Sequence, residues 1–386
     1  MGSSQGHDGR APVRIAVVGA GTISQAVHLP AIRRLGPRFD LRVVCDASPG
    51  RAAAVAAAYG PDVRATTDPE QAIGAADIEA VLLATPGSHC SLACRALEAG
   101  RHVLAEKPFS LTVGAATRAD QLARRLGLVL QVGYMKLYDP MVERAAAELA
   151  TVAEARLVRI TVLHPADAHQ VGHLRIRPFT DADPLVLEAA EADEVDQVRC
   201  ALGDVSADLA AFYRGILLGS VVHQISLLRG LGVPLPLRFD HAERWPEPAG
   251  SQPTSLLATA TLGPATRLAL EWCWLPAYPE YVEEVAVFAA DARLALTLAP
   301  PYLLEARSWL RVERGSGTLR DVSLMTDGHD SGFVRQLIAF ADSVRTGSPP
   351  RADAAGAAAD VACLQALLAA VATRQGLAVG GEVGQR

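Results

Sequence analysis

Of the 36 basic residues in this 386-residue chain, only Lys107 and Lys136 are lysine. In so arginine-rich a sequence, a retained lysine is a candidate for work that arginine cannot do. A guanidinium effectively never releases its proton, whereas a buried ammonium shifts its pKa and can join acid–base chemistry. Lys107 sits in Ala105-Glu106-Lys107-Pro108, at the end of the apolar run HVLAE. The proline holds the chain extended, so Lys107 projects from a strand end; a surface Glu–Lys pair is the simpler alternative. Lys136 lies between Tyr134 and Tyr138 just after another apolar run, LVLQVG. These three are expected to line the same crevice and bind substrate, with Lys136 placed for a hydroxyl or carboxylate.

A second group of residues points to a dinucleotide. VVGAGTIS puts Gly19 and Gly21 between a strand and a helix, with Thr22 and Ile23 opening that helix and Ser24 small enough for close packing. Glycines there permit a tight turn and let a pyrophosphate approach backbone N–H groups at a helix N-terminus. Asp46 ends the next strand, and a carboxylate there accepts from the adenosine ribose hydroxyls and repels a 2′-phosphate. Ala47 and Ser48 follow, with no arginine directly after the acid, so NAD is the expected cofactor and NADP the alternative. Thr85, Pro86 and His89 follow the third strong strand, where His89 could bond a ribose or cap the next helix. Glu106 and Lys107 complete the expected cofactor contacts.

The elements that must position these residues alternate. VRIAVV (13–18), LRVVCD (41–46), EAVLLAT (79–85), HVLAE (102–106) and LVLQVG (128–133) read as buried strands separated by helices. That pattern means βαβ units and a doubly wound parallel sheet. After about residue 137 the texture changes to longer alternating strands: ARLVRITVLHP (155–165), then four more between Thr254 and Glu313. An α+β domain with a large, mostly antiparallel open sheet is expected. The division is a disordered tail at 1–11, a nucleotide-binding domain at 12–137 and a substrate-binding and oligomerisation domain at 138–386. Residues 180–208, with nine acidic residues, read as a loop edging the pocket.

Composition excludes several classes. Half the residues are apolar and the net charge is -6, which argues against nucleic acid or an anionic membrane as partner. No uninterrupted apolar stretch reaches the ~18 residues of a spanning helix. Six scattered cysteines without a C-x-x-C pair read as free thiols in a reducing, cytoplasmic setting, with no metal site. Adjacent apolar pairs such as Leu256–Leu257 and Val287–Phe288 put apolar side chains on both faces of the second sheet. A homo-dimer or homo-tetramer covering one face is therefore expected.

GAGTIS, the Asp46 strand end, ATPGSH, LEAGRHVLAEKP and VGYMKLYDP, in this order and spacing, resemble the Gfo/Idh/MocA family of oxidoreductases. The resemblance is close over residues 13–140 and looser beyond. It implies a Rossmann domain followed by an α/β domain, with a nicotinamide cofactor and a sugar or cyclitol meeting between them. It implies a catalytic lysine at Lys107 and a catalytic, substrate-contacting histidine at His223 in GSVVHQISLL. The family's aspartate four residues before that histidine is Gly219 here, and Ser226 replaces a frequent acid three residues after it. The chemistry implied is hydride transfer at a hydroxyl or keto carbon, with His223 as acid/base and Lys107 polarising the reacting oxygen; the opposite allocation stays open. Two alternatives accompany it: reduction of an imine or conjugated C=C bond, and a cofactor- or sugar-sensing protein without turnover.

Overall fold

The computed structural model describes residues 11–246, 253–328 and 330–385. The tail expected at 1–11 lies, but for Ala11, outside them. Six strands build the first sheet: β1 (Val13–Val18), β2 (Phe39–Cys45), β3 (Arg64–Thr66), β4 (Ala80–Leu83), β5 (His102–Ala105) and β6 (Leu130–Val132). They pair in parallel in the order β3-β2-β1-β4-β5-β6. The order reverses between β1 and β4, and the carboxyl ends of the strands border the crevice at that reversal. The strands are near-continuous apolar runs because helices cover both sheet faces. β3, three residues with little burial, carries no apolar pattern by which to expect it.

The second sheet has eight strands: β7 (Ala155–His164), β8 (Arg238–Trp245), β9 (Ser255–Thr261), β10 (Arg267–Trp274), β11 (Val282–Ala289), β12 (Ala292–Thr297), β13 (Trp309–Ser316) and β14 (Leu319–Met325). Their order is β14-β13-β12-β11-β7-β10-β9-β8, antiparallel throughout except for the β7–β10 pair. One face is fully buried, as Leu256, Leu270, Ile160 and Val285 show. On the other, Phe288 lies under the guanidinium groups of Arg159 and Arg293, 5.7 and 5.5 Å from its ring centre. Arginine stems thus cover part of the apolar surface that the adjacent pairs place there.

The chain returns to the first domain at its end. Val334, Leu337 and Phe340 of the Gly332–Thr346 helix share a core cluster with Val13, Ile15 and Val17. Arg345 pairs with Glu79 at 2.9 Å, and Val132 N–H donates to Ala352 O at 2.8 Å. Two helical stretches, Ala207–Gly230 and Ala354–Gln375, are long and apolar enough by composition to cross a membrane, although polar residues interrupt their apolar runs. Both are mostly buried in the fold, the first with one side along the crevice and the second against the Val113–Leu126 helix, so their apolarity is that of core helices.

The acidic stretch is a helix, not a loop. Asp183 caps it by accepting from Leu185 N–H at 2.9 Å, Pro184 occupies the first turn, and it runs from Pro184 to Leu202. Its acids are solvent-facing, and its last turn buries Val198, Ala201 and Leu202. Glu194 reaches the Gly87 turn and lies 3.5 Å from Arg214, so the element does border the crevice.

Candidate active site

β1 delivers its chain into Gly19, whose φ of +94° belongs to the left-handed region, and a Cβ there would come within 2.5 Å of the Ala84 backbone. Glycine is therefore required where the turns after β1 and β4 meet. Over Gly21 the space is open to at least 4 Å. Ser24 Oγ donates back to Gly19 O at 2.5 Å and closes the turn. This cradle fits the pyrophosphate of a dinucleotide.

Asp46 ends β2 beside that cradle and is buried. Its carboxylate accepts from Ala20 N–H and Ser48 N–H, both at 2.9 Å, and from Arg51 at 3.1 Å. Arg51 escapes a reading confined to the residues directly after the acid; one helical turn into Pro49–Tyr59 brings it back to Asp46. Thr22 is exposed at the helix start, while Ile23 and Thr85 line the crevice. Pro86 is exposed at its turn. His89 does not cap the Cys90–Glu98 helix through its side chain. It is buried with Nδ1 2.9 Å from Pro108 O, and burial holds its pKa below the usual value, so it is a neutral strut under the Lys107 turn.

The crevice is a cavity of about 550 Å³ walled by both domains. From the first domain come Glu106 and Lys107. Burial alone would raise the Glu106 carboxyl, but a 2.8 Å bond from His28 Nε2 and the nearby charges of His28 and Lys107 outweigh it and hold the group ionised. The Lys107 ammonium donates to Gly219 O at 2.6 Å. Burial lowers its pKa, opposed by Glu106 and assisted by the Lys136 charge. Lys107 is thus no surface partner of Glu106.

The second domain supplies the opposite wall. Residues Phe212–Val221 form a widened helix with i→i+5 bonding that places Gly215, Gly219 and Ser220 along the cavity and leads into His223. Such wide turns are frequent at functional sites. Burial first, then the Lys136, Lys107 and His164 charges, push His223 well below its ordinary pKa, so the imidazole is neutral at pH 7. Lys136 pairs with Glu283, which is completely buried and also accepts from Gln224 Nε2 at 2.9 Å and Tyr281 OH at 2.6 Å. Parallel pairing of β7 with β10 sets His164 opposite Trp274, its ring 5.1 Å from Trp272 and 5.7 Å from Trp274. Arg244 from β8 lines the far end, held 2.5 Å from Asp208, and its buried Nη1 has no hydrogen-bond partner among the described residues.

Two expected substrate residues do not reach the cavity. Tyr134 is only 1 % exposed, in the core beside Arg229 and Asp360, and burial pushes its phenol well above the usual value. Tyr138 is buried too, its hydroxyl accepting from Ala352 N–H at 3.2 Å and its ring under Arg351. The Met135–Tyr138 turn is a tight 3₁₀ turn, and among Tyr134, Lys136 and Tyr138 it is Lys136 that faces the cavity. His164, Arg244, Trp272, Tyr281 and Glu283 were not anticipated. The alternating aromatics of EWCW on β10 were a readable signal for Trp272 and Trp274; the partners of Lys136 and the position of Arg244 depend on sheet registry.

Residues 13–134 match the oxidoreductase family with an NAD-binding Rossmann fold, Gfo/Idh/MocA. The match falls on the dinucleotide-binding part of the chain. Inositol 2-dehydrogenase 1 of Saccharopolyspora erythraea is 39% identical over 131 residues, 33% of this chain and 38% of that protein. Inositol 2-dehydrogenase of Rhizobium meliloti is 35% identical over 159 residues, 40% of this chain and 46% of that one. The aligned part is thus less than half of either relative. Among solved structures, the fold of the whole chain is similar to KijD10, a 3-ketoreductase from Actinomadura kijaniata solved with TDP-benzene and NADP. The TM-score is 0.67 at 21% identity over 95% of this chain and 98% of that one. UDP-N-acetylglucosamine 3-dehydrogenase GnnA from Acidithiobacillus ferrooxidans gives 0.66 at 19% identity over 94% and 99%. Against the Gfo/Idh/MocA pattern, the distinctive feature is Gly219: the lysine is held by a main-chain carbonyl where the family resemblance implies a carboxylate.

Proposed function

We propose that this protein is an NAD(P)-dependent oxidoreductase that moves a hydride between nicotinamide and a hydroxyl or keto carbon of a sugar, cyclitol or related polyol. One observation carries the reading: Lys107 from the dinucleotide-binding domain and His223 from the second domain line a single cavity that also reaches Ile23, Ala84 and Thr85 beside the glycine turn. The inositol dehydrogenase and sugar ketoreductase relatives support the substrate class.

When bound, the nicotinamide accepts or supplies the hydride at its C4; the protein places the carbon and handles one proton. Lys107, fixed by Gly219 O and faced by the Glu106 carboxylate, donates to the reacting oxygen and polarises it. His223, neutral at pH 7, takes the hydroxyl proton during oxidation and returns it during reduction. Lys136, locked to Glu283, offers its remaining N–H donors to a second substrate hydroxyl. The Trp272–His164–Trp274 wall presents flat surfaces against C–H faces of a ring, and Arg244 Nη1 offers a buried donor to a substrate oxygen. Donors of this number suit a polyhydroxylated ligand, since a buried donor left unmatched costs affinity.

The six cysteines are all free thiols, which supports a reducing compartment. The test is a panel of cyclitols, sugars and their keto forms, with nicotinamide absorbance read in both directions. Turnover that vanishes in Lys107→Arg and His223→Ala supports the reading. Dinucleotide binding without turnover of any polyol or keto form rejects it in favour of a sensing role.

A further inference from the structure

Between β7 and the Pro184–Leu202 helix the chain crosses back to the first domain and touches it at the end of β2. There Asp181 docks on the N-terminus of the Pro49–Tyr59 helix. Its carboxylate accepts from the Ser48 hydroxyl through one oxygen and from Gly50 N–H, at 2.7 Å, through the other. The fit is close: a Cβ on Gly50 would lie 2.6 Å from that oxygen and 3.3 Å from Phe179 Cδ1. Phe179 is pinned beside the turn by Arg51 and Arg177, whose guanidinium carbons lie 5.8 and 5.1 Å from its ring centre. Arg51 is already engaged with Asp46.

A serine hydroxyl, a free N–H at a helix N-terminus and an arginine one turn on are the donors that an adenosine 2′-phosphate requires. They sit beside Asp46, where the ribose of a dinucleotide lies in a Rossmann domain. Two of these donors already hold an anion, and that anion belongs to the protein. We propose that Asp181 decides which dinucleotide this protein accepts: its carboxylate fills the seat that a 2′-phosphate would need, and so excludes NADP in favour of NAD. A 2′-hydroxyl asks for no more than the Asp46 carboxylate, so NAD binds with Asp181 in place. NADP must expel one carboxylate and bring its phosphate next to another, with Arg51 neutralising only one of the two charges. Like-charge juxtaposition of this kind is how binding sites reject wrong partners. Asp46 alone does not carry the selection, because Arg51 offsets its charge.

The proposal rests on the dinucleotide-binding reading and is tested by binding rather than turnover. Titrations of NADH and NADPH, followed by nicotinamide fluorescence, are made on the parent protein, Asp181→Ala, Asp181→Asn and Asp181→Ala with Ser48→Ala. The parent should bind NADH tighter than NADPH by about tenfold or more. Asp181→Ala should improve NADPH binding by about tenfold while NADH stays within about threefold. Asp181→Asn, which keeps the shape and removes the charge, should recover part of the gain. Adding Ser48→Ala to Asp181→Ala should cancel it, since the seat has lost a donor. A parent that binds NADPH as tightly as NADH, or an unchanged ratio in Asp181→Ala, overturns the role of Asp181 alone. A parent that binds neither dinucleotide overturns the oxidoreductase reading and this proposal with it.

Discussion

The two walls of the cavity are built on different principles. The first-domain side is made of strand ends: Thr85 after β4 and Lys107 after β5 line the cavity, and Asp46 after β2 lies beside the glycine turn, each just past a buried strand. Their positions are fixed by the sheet order, and their partners are mostly main-chain groups, such as Ala20 N–H for Asp46 and Gly219 O for Lys107. The opposite wall is made of side chains that hold one another, Lys136 at the end of the first domain among them. Lys136 reaches Glu283 across 147 residues of sequence, and Gln224 and Tyr281 close on the same carboxylate. A wall of the first kind can lose a functional side chain and keep its shape; a wall of the second kind cannot.

The strongest way to break that contrast is Glu283→Gln. It leaves the Lys136 ammonium buried without its counter-charge, and removing one partner of a buried pair typically costs about 3–5 kcal/mol. Denaturant titration should show that loss, and Lys136→Met combined with Glu283→Gln should recover more than half of it. A Glu283→Gln protein within about 1 kcal/mol of the parent would mean that the second wall does not depend on this pair.

Lys107→Arg makes the complementary test on the first wall. Arginine keeps the charge but is planar and bulkier and cannot exchange its proton. Stability and NADH binding should hold while turnover falls by ~100-fold or more, as for loss of a positioned acid–base group. Near-parental turnover would remove Lys107 from the chemistry.

The same contrast explains what could be read from the sequence. Gly19, Gly21, Asp46, Glu106 and Lys107 were legible because strand-end chemistry is local: the apolar run, the turn and the functional residue are contiguous. The parallel sheet, the mostly antiparallel sheet and the crevice between them were legible for the same reason, from strand periodicity. Arg51 lies one helical turn past the strand end, where no local pattern ties it to Asp46. The Pro184–Leu202 helix was hidden because a largely solvent-facing helix lacks an apolar stripe, although Asp183-Pro184 is a start signal. β14, with Leu319, Val322 and Leu324 exposed, is an edge strand without a buried face to pattern it. Glu283 and Arg244 could not be assigned roles, since only the registry of β11 and β8 brings Glu283 to Lys136 and Arg244 to the cavity. Tyr134 and Tyr138 show the converse error: flanking a functional lysine within one tight turn does not make a residue face the same way.

His223 lies where the two walls meet, and its pH profile tests how they couple. With its pKa depressed by burial and by the lysines, the imidazole is neutral above the usual value of ~6.5. In the oxidative direction kcat/KM should therefore stay level through neutral pH and fall only at pH below about 6.5. Lys136→Met removes one of the positive charges that depress this pKa, so the acid limb should move to higher pH. His223→Ala should abolish that limb along with most turnover. An acid limb centred above pH 7 in the parent would contradict the burial of this histidine.

The smallest expected effect is the most discriminating about the Met135–Tyr138 turn. Tyr138→Phe removes a hydroxyl whose role in the fold is to accept from Ala352 N–H at 3.2 Å, where the chain turns into the Ala354–Gln375 helix. The ring stays, with its packing and its contact to Arg351. Losing one partner of a buried main-chain donor should cost about 1 kcal/mol of stability. The hydroxyl does not reach the cavity, so KM for any substrate should stay within about twofold, because only groups that touch the ligand alter uniform binding. A KM that rises several-fold with stability unchanged would return Tyr138 to the substrate wall and require the turn to open when ligand binds. A loss of stability at constant KM assigns Tyr138 to the joint between the domains and leaves substrate recognition in this turn to Lys136.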